Sequence, residues 1–341
     1  MSEKTLTLDE VDHQLLHALQ LDPRVPFVRF ARLVDVSEQT VARRFRRLRS
    51  AGVVRVVGLI DPMSLGQSSW LIRIQSRPDA AAVLADALAR RPDIGWVTLG
   101  SGGSEIFCVI WSRTSRERDE LLLQRLPKTA QVIAFSAHSV LHVFDAPDGW
   151  TTGGRRLPEE AAASLRSQAL GGGAQPWSTR AVDPTAKSLE LSAGDEALFK
   201  ELEVDGRAPV SKLAELTGWT AGRVNRRLEE LVRAGLLYFD TEVALETIGL
   251  QSSALLWLTV SPGRLQATGE ALAGHDEVVF VAATTGTTNL VASVACRDTT
   301  HLYQYVTESL GTLDLVGLEV APNLRRIKQG RSMMVDGRLA F

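Results

Sequence analysis

The chain carries one pattern twice. Displaced by 183 residues, Leu8–Val54 lies over Leu191–Leu237 without a gap. Asp12 then meets Asp195, Asp22 meets Asp205, Arg24 meets Arg207, Pro26 meets Pro209 and Gly52 meets Gly235. Val41, Arg43, Arg44 and Leu48 fall on Val224, Arg226, Arg227 and Leu231. Shared apolar positions arise in any two amphipathic helices. Shared Asp, Pro, Arg and Gly at one offset do not, so the match marks a duplicated structural unit. With the offset slipped to 184, Ser68–Pro78 lies over Ser252–Pro262 and Gly102 over Gly286.

The duplication divides the 341 residues. The expected units are a first helical domain at 5–60, a first mixed domain at 61–144 and a linker at 145–188. A second helical domain at 189–244, a second mixed domain at 245–322 and a basic tail at 323–341 follow. The linker is rich in Gly, Pro, Ala and Ser, with one short helix expected at Glu159–Leu170.

The first half of each repeat has the periodicity of three helices. Asp9 is a candidate cap, and Val11, Leu15, Leu16 and Leu19 form an apolar stripe. Phe27–Val34 is short, Asp35-Val36 makes a tight turn, and Ser37 caps a third helix that ends at Gly52. Two short helices across a tight turn, the second basic, form a helix-turn-helix. Val53–Asp61 then alternates as a strand, a wing or connecting ribbon.

That third helix is the local exception in a chain of formal net charge −2. Ser37–Ser50 holds five arginines and one glutamate, with Val41, Phe45 and Leu48 between them. A recognition helix needs one apolar face for its own domain and one cationic, hydrogen-bonding face for the major groove. Ser37, Glu38, Gln39, Thr40 and Arg43 occupy the N-terminal turns, where base edges are reached. Gln pairs with adenine and Arg with guanine through two hydrogen bonds. Arg44, Arg46 and Arg47, with Arg49, suit phosphates on the flanks. In the second copy the corresponding candidates are Arg223, Asn225, Arg226 and Arg227, but Gly222 offers no side chain to a base. Double-stranded DNA is the macromolecular partner these residues point to.

The second half of each repeat has the order βαββαβ. Trp70–Gln75, Ile94–Leu99, Glu105–Ser112 and Gln131–Phe144 are expected strands, with helices from Pro78 to Arg91 and from Arg116 to Leu126. The second copy is expected to use strands at Leu255–Val260, Val278–Ala283, Asn289–Cys296 and Leu313–Ala321. Its helices are expected at Gly263–Ala273 and Thr300–Leu310. The fold class is therefore α+β: two repeats, each an N-terminal winged-helix-like helix-turn-helix followed by a ferredoxin-like sandwich. One face of each sheet lacks a helix layer. Two such sheets could stack within the chain or on another subunit.

Composition excludes several alternatives. Cys108 and Cys296 lie in apolar runs with no metal-ligand spacing, so they are expected to be buried hydrophobes in a reducing cytoplasm. No apolar run approaches a membrane span, and no signal-peptide core opens the chain. No catalytic triad, carboxylate pair, phosphate loop, cofactor motif or metal cluster is visible.

Leu8, Asp9 and Asp12, then RFARLVDVSEQTVARRFRRLRSAGVV (Arg29–Val54), IDPMSLG (Ile60–Gly66) and the βαββαβ order that follows, resemble the Lrp/AsnC family of transcription regulators. The resemblance covers nearly the whole chain outside the linker and tail, twice over. It implies DNA binding through the helix-turn-helix, pairing through ligand-sensing domains, and homo-oligomers, dimers or higher. It also implies an amino acid or related metabolite bound near the loop between the second and third strands. Here those loops read Gly102, Gly103, Ser104, Glu105 and Gly286, Thr287, Thr288, Asn289, with the family's acid changed to Glu in one and Asn in the other. Tandem fusion departs from the single-unit family pattern. Sirohaem decarboxylases, built from paired AsnC-like units, are the rival resemblance, for which His138 and His142 on one strand are the available histidines. An architectural DNA-binding protein without an effector is a further alternative.

Overall fold

The computed structural model describes residues 6–61, 67–112, 114–145, 154–170 and 190–340. Most of IDPMSLG and much of the linker, at 146–153 and 171–189, lie outside the described residues.

The three helices of the first repeat are α1 (Glu10–Leu21), α2 (Phe27–Leu33) and α3 (Glu38–Ser50). Asp9 caps α1 in a reciprocal capping box with Asp12, and Ser37 caps α3 by accepting from the Thr40 amide. Val41, Phe45 and Leu48 are the buried face of α3, packed with Leu15, Leu19 and Phe30. Asp35, in the turn before α3, has φ 50. Its counterpart in the second repeat is Gly218, with φ 69, the residue type that adopts this left-handed conformation without steric cost. Strand β1 (Val54–Ile60) follows.

The first mixed domain contains β2 (Ser68–Ser76), α4 (Ala81–Ala89), β3 (Ile94–Gly100), β4 (Glu105–Ser112), α5 (Ser115–Asp119, continued as a π turn to Arg125) and β5 (Val132–Val143). Helix α6 (Glu159–Gln168) lies in the expected linker. The second repeat supplies α7 (Ala193–Val204), α8 (Val210–Thr217), α9 (Ala221–Arg233) and β6 (Leu237–Val243). Its mixed domain has β7 (Ser252–Thr259), α10 (Leu265–Ala273), β8 (Val278–Thr284), β9 (Leu290–Cys296), α11 (Thr299–Gln304, continued as a π turn to Ser309) and β10 (Gly317–Gln329). Strands β11 (Ser332–Val335) and β12 (Arg338–Ala340) end the described chain.

The two sheets meet within the chain and exchange their last strands. Residues 132–139 of β5 pair with β2 of their own repeat, and 140–143 pair with β8 of the other. Residues 317–322 of β10 pair with β7, and 323–328 with β3. The strands thus run β3-β4-β2-β5-β8-β9-β7-β10 and return to β3. Each of these eight strands therefore pairs with two others, β5 and β10 dividing their length between their partners. The faces without helices turn inward, where Leu71, Phe107, Val143, Trp257, Ala282, Val291 and Ala321 are buried together.

The helical domains are joined by a second exchange. β1 and β6 pair antiparallel with Val57 opposite Asp240, residues that are equivalent in the duplication. The local two-fold axis therefore passes between them. Arg24 donates to the carbonyls of Gly206 and Ala208, and Arg207 donates to those of Pro23 and Val25 at 2.7 Å each. The shared Arg of the sequence repeat is a reciprocal clasp. Burial holds the Arg207 guanidinium down to about 10, and Arg207 lies over the Phe27 ring at 4.4 Å. Gly206 approaches β1 so closely that a Cβ would stand 2.6 Å from the Val57 carbonyl carbon.

One expected boundary moves, and the tail and linker gain partners that their sequences do not name. β10 continues past 322 to Gln329, because it must also serve the first repeat's sheet. The basic tail is no appendage: β11 and β12 fold back from β10, the Leu339 amide donates to the Gly52 carbonyl at 2.8 Å, and Arg338 donates to the Ala51 carbonyl. It thereby braces the end of α3. The described part of the linker is also structural. Leu157, Ala162 and Leu165 enter the first helical core, and Arg156 and Leu157 donate their amides to His17 Nδ1 at 3.0 and 3.1 Å.

Arg207→Ala is expected to lower unfolding free energy by about 2–4 kcal/mol in urea denaturation, since it leaves two interdomain carbonyls unanswered. An unchanged midpoint would remove the clasp from the account. Burial, reinforced by nearby arginines, depresses His17 from 6.5 to about 4. The unfolded chain then takes up the proton first as pH falls, so His17's contribution is present above pH 6.5 and is lost toward about pH 4. The stability advantage of the native chain over His17→Gln should shrink by about 3 kcal/mol across that window. A constant difference would contradict this assignment.

Candidate nucleic-acid interface and effector loops

The candidate base-reading residues lie on a helix whose orientation is fixed from behind. Arg44 reaches Asp9 at 2.7 Å and Asp12 at 2.9 Å, and Arg47 also pairs with Asp12. Asp12 is fully buried. Burial raises the Asp9 carboxyl, but hydrogen bonding and charge from Arg44, with the Asp12 amide, hold it below its ordinary value. The second repeat builds the same tie, with Arg227 on the buried Asp195 at 2.7 Å. The twin Asp and Arg of the duplication are thus a strut between the first helix and the recognition helix.

This separates the sequence-derived DNA candidates into two groups. Arg44, Arg47 and Arg227 are engaged by carboxylates of their own domain, although Arg47 keeps 42% of its side chain exposed. Ser37, Glu38, Gln39, Arg43 and Arg46 are exposed, with Thr40 half-buried beside the Ser37 hydroxyl at 2.9 Å. On α9, Arg223, Asn225 and Arg226 are exposed, and Arg223 stacks over Trp219 at 4.3 Å. Gly222 has open space around it, so this part of α9 presents backbone. The outward residues of α3 combine hydrogen-bonding side chains with free cations, the chemistry of groove and phosphate contact. Distance along the sequence could not separate strut from contact. The separation depends on α1, which meets α3 only in the folded domain.

The two glycine loops sit where each repeat meets the other's long strand. Ser101, Gly102 and Gly103 have φ of 48, 73 and 88. Nothing lies within 4 Å of a Cβ built at Gly102, whereas one at Gly103 would touch Leu324 of β10 at 3.4 Å. Ser104 donates its hydroxyl to the Ser101 carbonyl. Glu105 is buried, accepts from Ser101, and pairs with Arg73 at 2.7 Å, which also pairs with Glu319 at 2.6 Å. In the other loop, Gly286 has φ 117, and a Cβ there would meet the His138 ring at 2.5 Å. His138 donates Nδ1–H to the Thr285 carbonyl at 2.7 Å, so this histidine of β5 braces the opposite repeat's loop. Thr259 donates to the Thr287 carbonyl and Thr284 to that of Thr288. Asn289 exchanges two hydrogen bonds with the Val260 backbone, at 2.8 and 2.9 Å. The loops differ chemically: one ends on an ion-paired carboxylate, the other on an amide satisfied by backbone.

Cys108 and Cys296 are buried free thiols, pushed up to about 12 and about 11 by desolvation. Among the described residues no group of His, Cys, Asp and Glu could hold a metal ion, and no helix is long and apolar enough to cross a membrane.

Known proteins share these parts. The AsnC-type helix-turn-helix domain model matches residues 8–49 and 191–232, and the Lrp/AsnC ligand binding domain model matches 253–333. An uncharacterized HTH-type transcriptional regulator of Pyrococcus furiosus is 30% identical over 123 residues, 36% of this chain and 83% of that protein. The HTH-type transcriptional regulator LrpA of Pyrococcus horikoshii is 28% identical over 123 residues, 36% of this chain and 87% of its own. Each thus corresponds to one repeat. The siroheme decarboxylase NirDL has a TM-score of 0.60 at 14% identity, covering 95% of this chain and 93% of that chain. At that identity the likeness is one of fold, and it extends over both repeats.

Asp12→Ala should cost about 1–2 kcal/mol of stability, because it removes the buried end of the strut and half of the α1 capping box, while Arg44 keeps Asp9. Arg46→Ala should change stability by less than about 0.5 kcal/mol. Equal losses in urea denaturation would show that the strut is not what fixes α3.

Proposed function

The chain belongs to the Lrp/AsnC family, and from this premise we propose that it is a transcriptional regulator that reads DNA through α3 and answers to a small metabolite. The observation that carries the reading is the exposed face Ser37–Arg43, held outward by the Arg44–Asp12 strut. In this reading Gln39, Thr40 and Arg43 contact bases, while Arg46 and the exposed part of Arg47 contact phosphates. The second recognition helix, with Arg223, Asn225 and Arg226 exposed, adds mainly backbone contacts, since Gly222 presents nothing to a base edge. Because β1 and β6 relate the two helical domains by a local two-fold axis, one chain presents the pair of units that a dimer of single-repeat chains would present. The glycine loops are the effector candidates, and their different ends, Glu105 and Asn289, support unequal ligand preferences.

A second reading, a sirohaem-decarboxylase-like enzyme, draws on the full-length likeness to NirDL. The engagement of His138 with the Thr285 carbonyl favours a packing role for that histidine instead. Sirohaem added to the purified protein distinguishes the two: a regulator leaves its side chains unchanged, whereas loss of carboxyl groups by mass spectrometry would make the protein an enzyme.

On a preferred site, Arg43→Ala is expected to weaken binding by about 1–3 kcal/mol, with a smaller loss on random DNA. Equal losses on both, measured at one salt concentration, would make Arg43 a phosphate contact.

A further inference from the structure

Between the β1–β6 ribbon and the mouth of the closed sheet lies a cavity of about 250 Å³. Its wall is formed by the turn after α1, by β6 and by the sheet interior. It is distinct from both glycine loops, none of whose eight candidate residues line it. Leu71, Phe107, Phe280 and Val291 give it an apolar body. Its volume approaches the range of small-molecule sites, roughly 300–1,000 Å³.

The polar groups on this wall are incompletely used. Arg326 lines the cavity and donates to Gln329 Oε1 at 3.0 Å, a neutral amide on its own strand. Among the described residues no carboxylate lies within ion-pair distance of it, and burial lowers its pKa while the Glu246 charge acts only from further away. Arginine nevertheless stays protonated, so the half-buried guanidinium is a cation with donors to spare. Gln20, which also lines the cavity, has its Oε1 buried with no hydrogen-bond partner among the described residues. Arg24 also lines the cavity, but its donors go to the Gly206 and Ala208 carbonyls.

We infer that this cavity binds a small organic monocarboxylate with an apolar body, its carboxylate on Arg326 and a donor group within reach of Gln20. The planar fork of arginine matches a carboxylate through two parallel hydrogen bonds. Among the charged side chains that line the cavity, Arg326 is the cation with neither a carboxylate nor a backbone carbonyl as partner, and it answers one negative charge. Asp22 also lines the cavity and the ribbon wall carries Asp240 and Glu242, so a dianion such as phosphate would meet more repulsion there than a monoanion. Burial holds the Asp240 and Glu242 carboxyls up, to about 6 and about 7. Asp240 stands on the local two-fold axis, opposite Val57, and Glu242 accepts from the Arg331 amide at 2.7 Å and from the Ser332 hydroxyl. An occupant would therefore touch both the ribbon that joins the helix-turn-helix units and the sheet below it. That such contact regulates DNA binding rests on the proposed function; occupancy of the cavity does not.

Calorimetric titration of the full chain with 4-phenylbutyrate and with its uncharged amide, 4-phenylbutanamide, tests this without DNA. The acid should bind one molecule per chain, about ten-fold or more tighter than the amide, as expected for one charge-assisted pair. Arg326→Gln should bring the two ligands to similar affinity while leaving amide binding in place. Absence of binding by both, equal affinity in the native chain, or an acid preference that survives Arg326→Gln would each overturn the assignment. A DNA-binding defect would leave all of these readings intact, so failure of the regulator reading is separately visible.

Discussion

Neither repeat can finish its own sheet. The last strand of each mixed domain spends its first half at home and its second half in the other repeat, at residues 140–143 and 323–328. Unpaired strand edges and an uncovered apolar face are both costly in water. Mutual exchange answers both together, by giving every strand of the ring a second partner and burying the two bare faces on each other. Once the sheets are closed in this way, the helical domains are brought together at the ribbon, and the Arg24–Arg207 clasp has its partners in reach. A single chain thereby acquires the two-fold geometry that separate chains would obtain by association.

The frame is symmetric, and its contents are not. β3 and β8 carry a register shift at equivalent positions, between Ile94 and Trp96 and between Val278 and Phe280. Both second helices widen into π turns. Around these shared features, however, α6 packs on the first helical core, and the β11–β12 hairpin hydrogen-bonds the residues that end α3. The recognition helix with the full set of side chains is therefore the one with the extra support. Asp240 replaces an apolar Val57 on the axis, and Glu105 faces Asn289 across the duplication. Fusion allows such divergence, because the two halves no longer have to be one sequence.

The frame was legible in the sequence because periodicity and turn residues are local. The three helices, the Ser37 cap, the Gly52 stop and the βαββαβ order all follow from spacing within about twenty residues. The duplication also pointed to Asp12, Arg24 and Arg44 as special, without saying why. Their roles depend on which elements meet: Arg44 turns to Asp12 rather than outward, and Arg24 crosses to the other repeat. The packing of the tail and of the linker helix escapes the sequence for the same reason. The linker's composition is that of a connector and the tail's is basic, but Leu165, Leu157 and Leu339 are buried by partners far away in sequence. The central cavity had no local signature at all, since it is bounded by residues from Gln20 to Gln329.

Capture of fragmented genomic DNA by the purified chain at moderate salt, followed by sequencing and by mass measurement of the complex, tests the central claim most directly. Specific reading by α3 gives an enriched motif bound by chains that each present both helix-turn-helix units, so that one chain covers one site and the half matched by α3 is the better defined. Salt-sensitive capture without a motif would contradict specific reading by α3, and an absence of capture would contradict DNA regulation altogether.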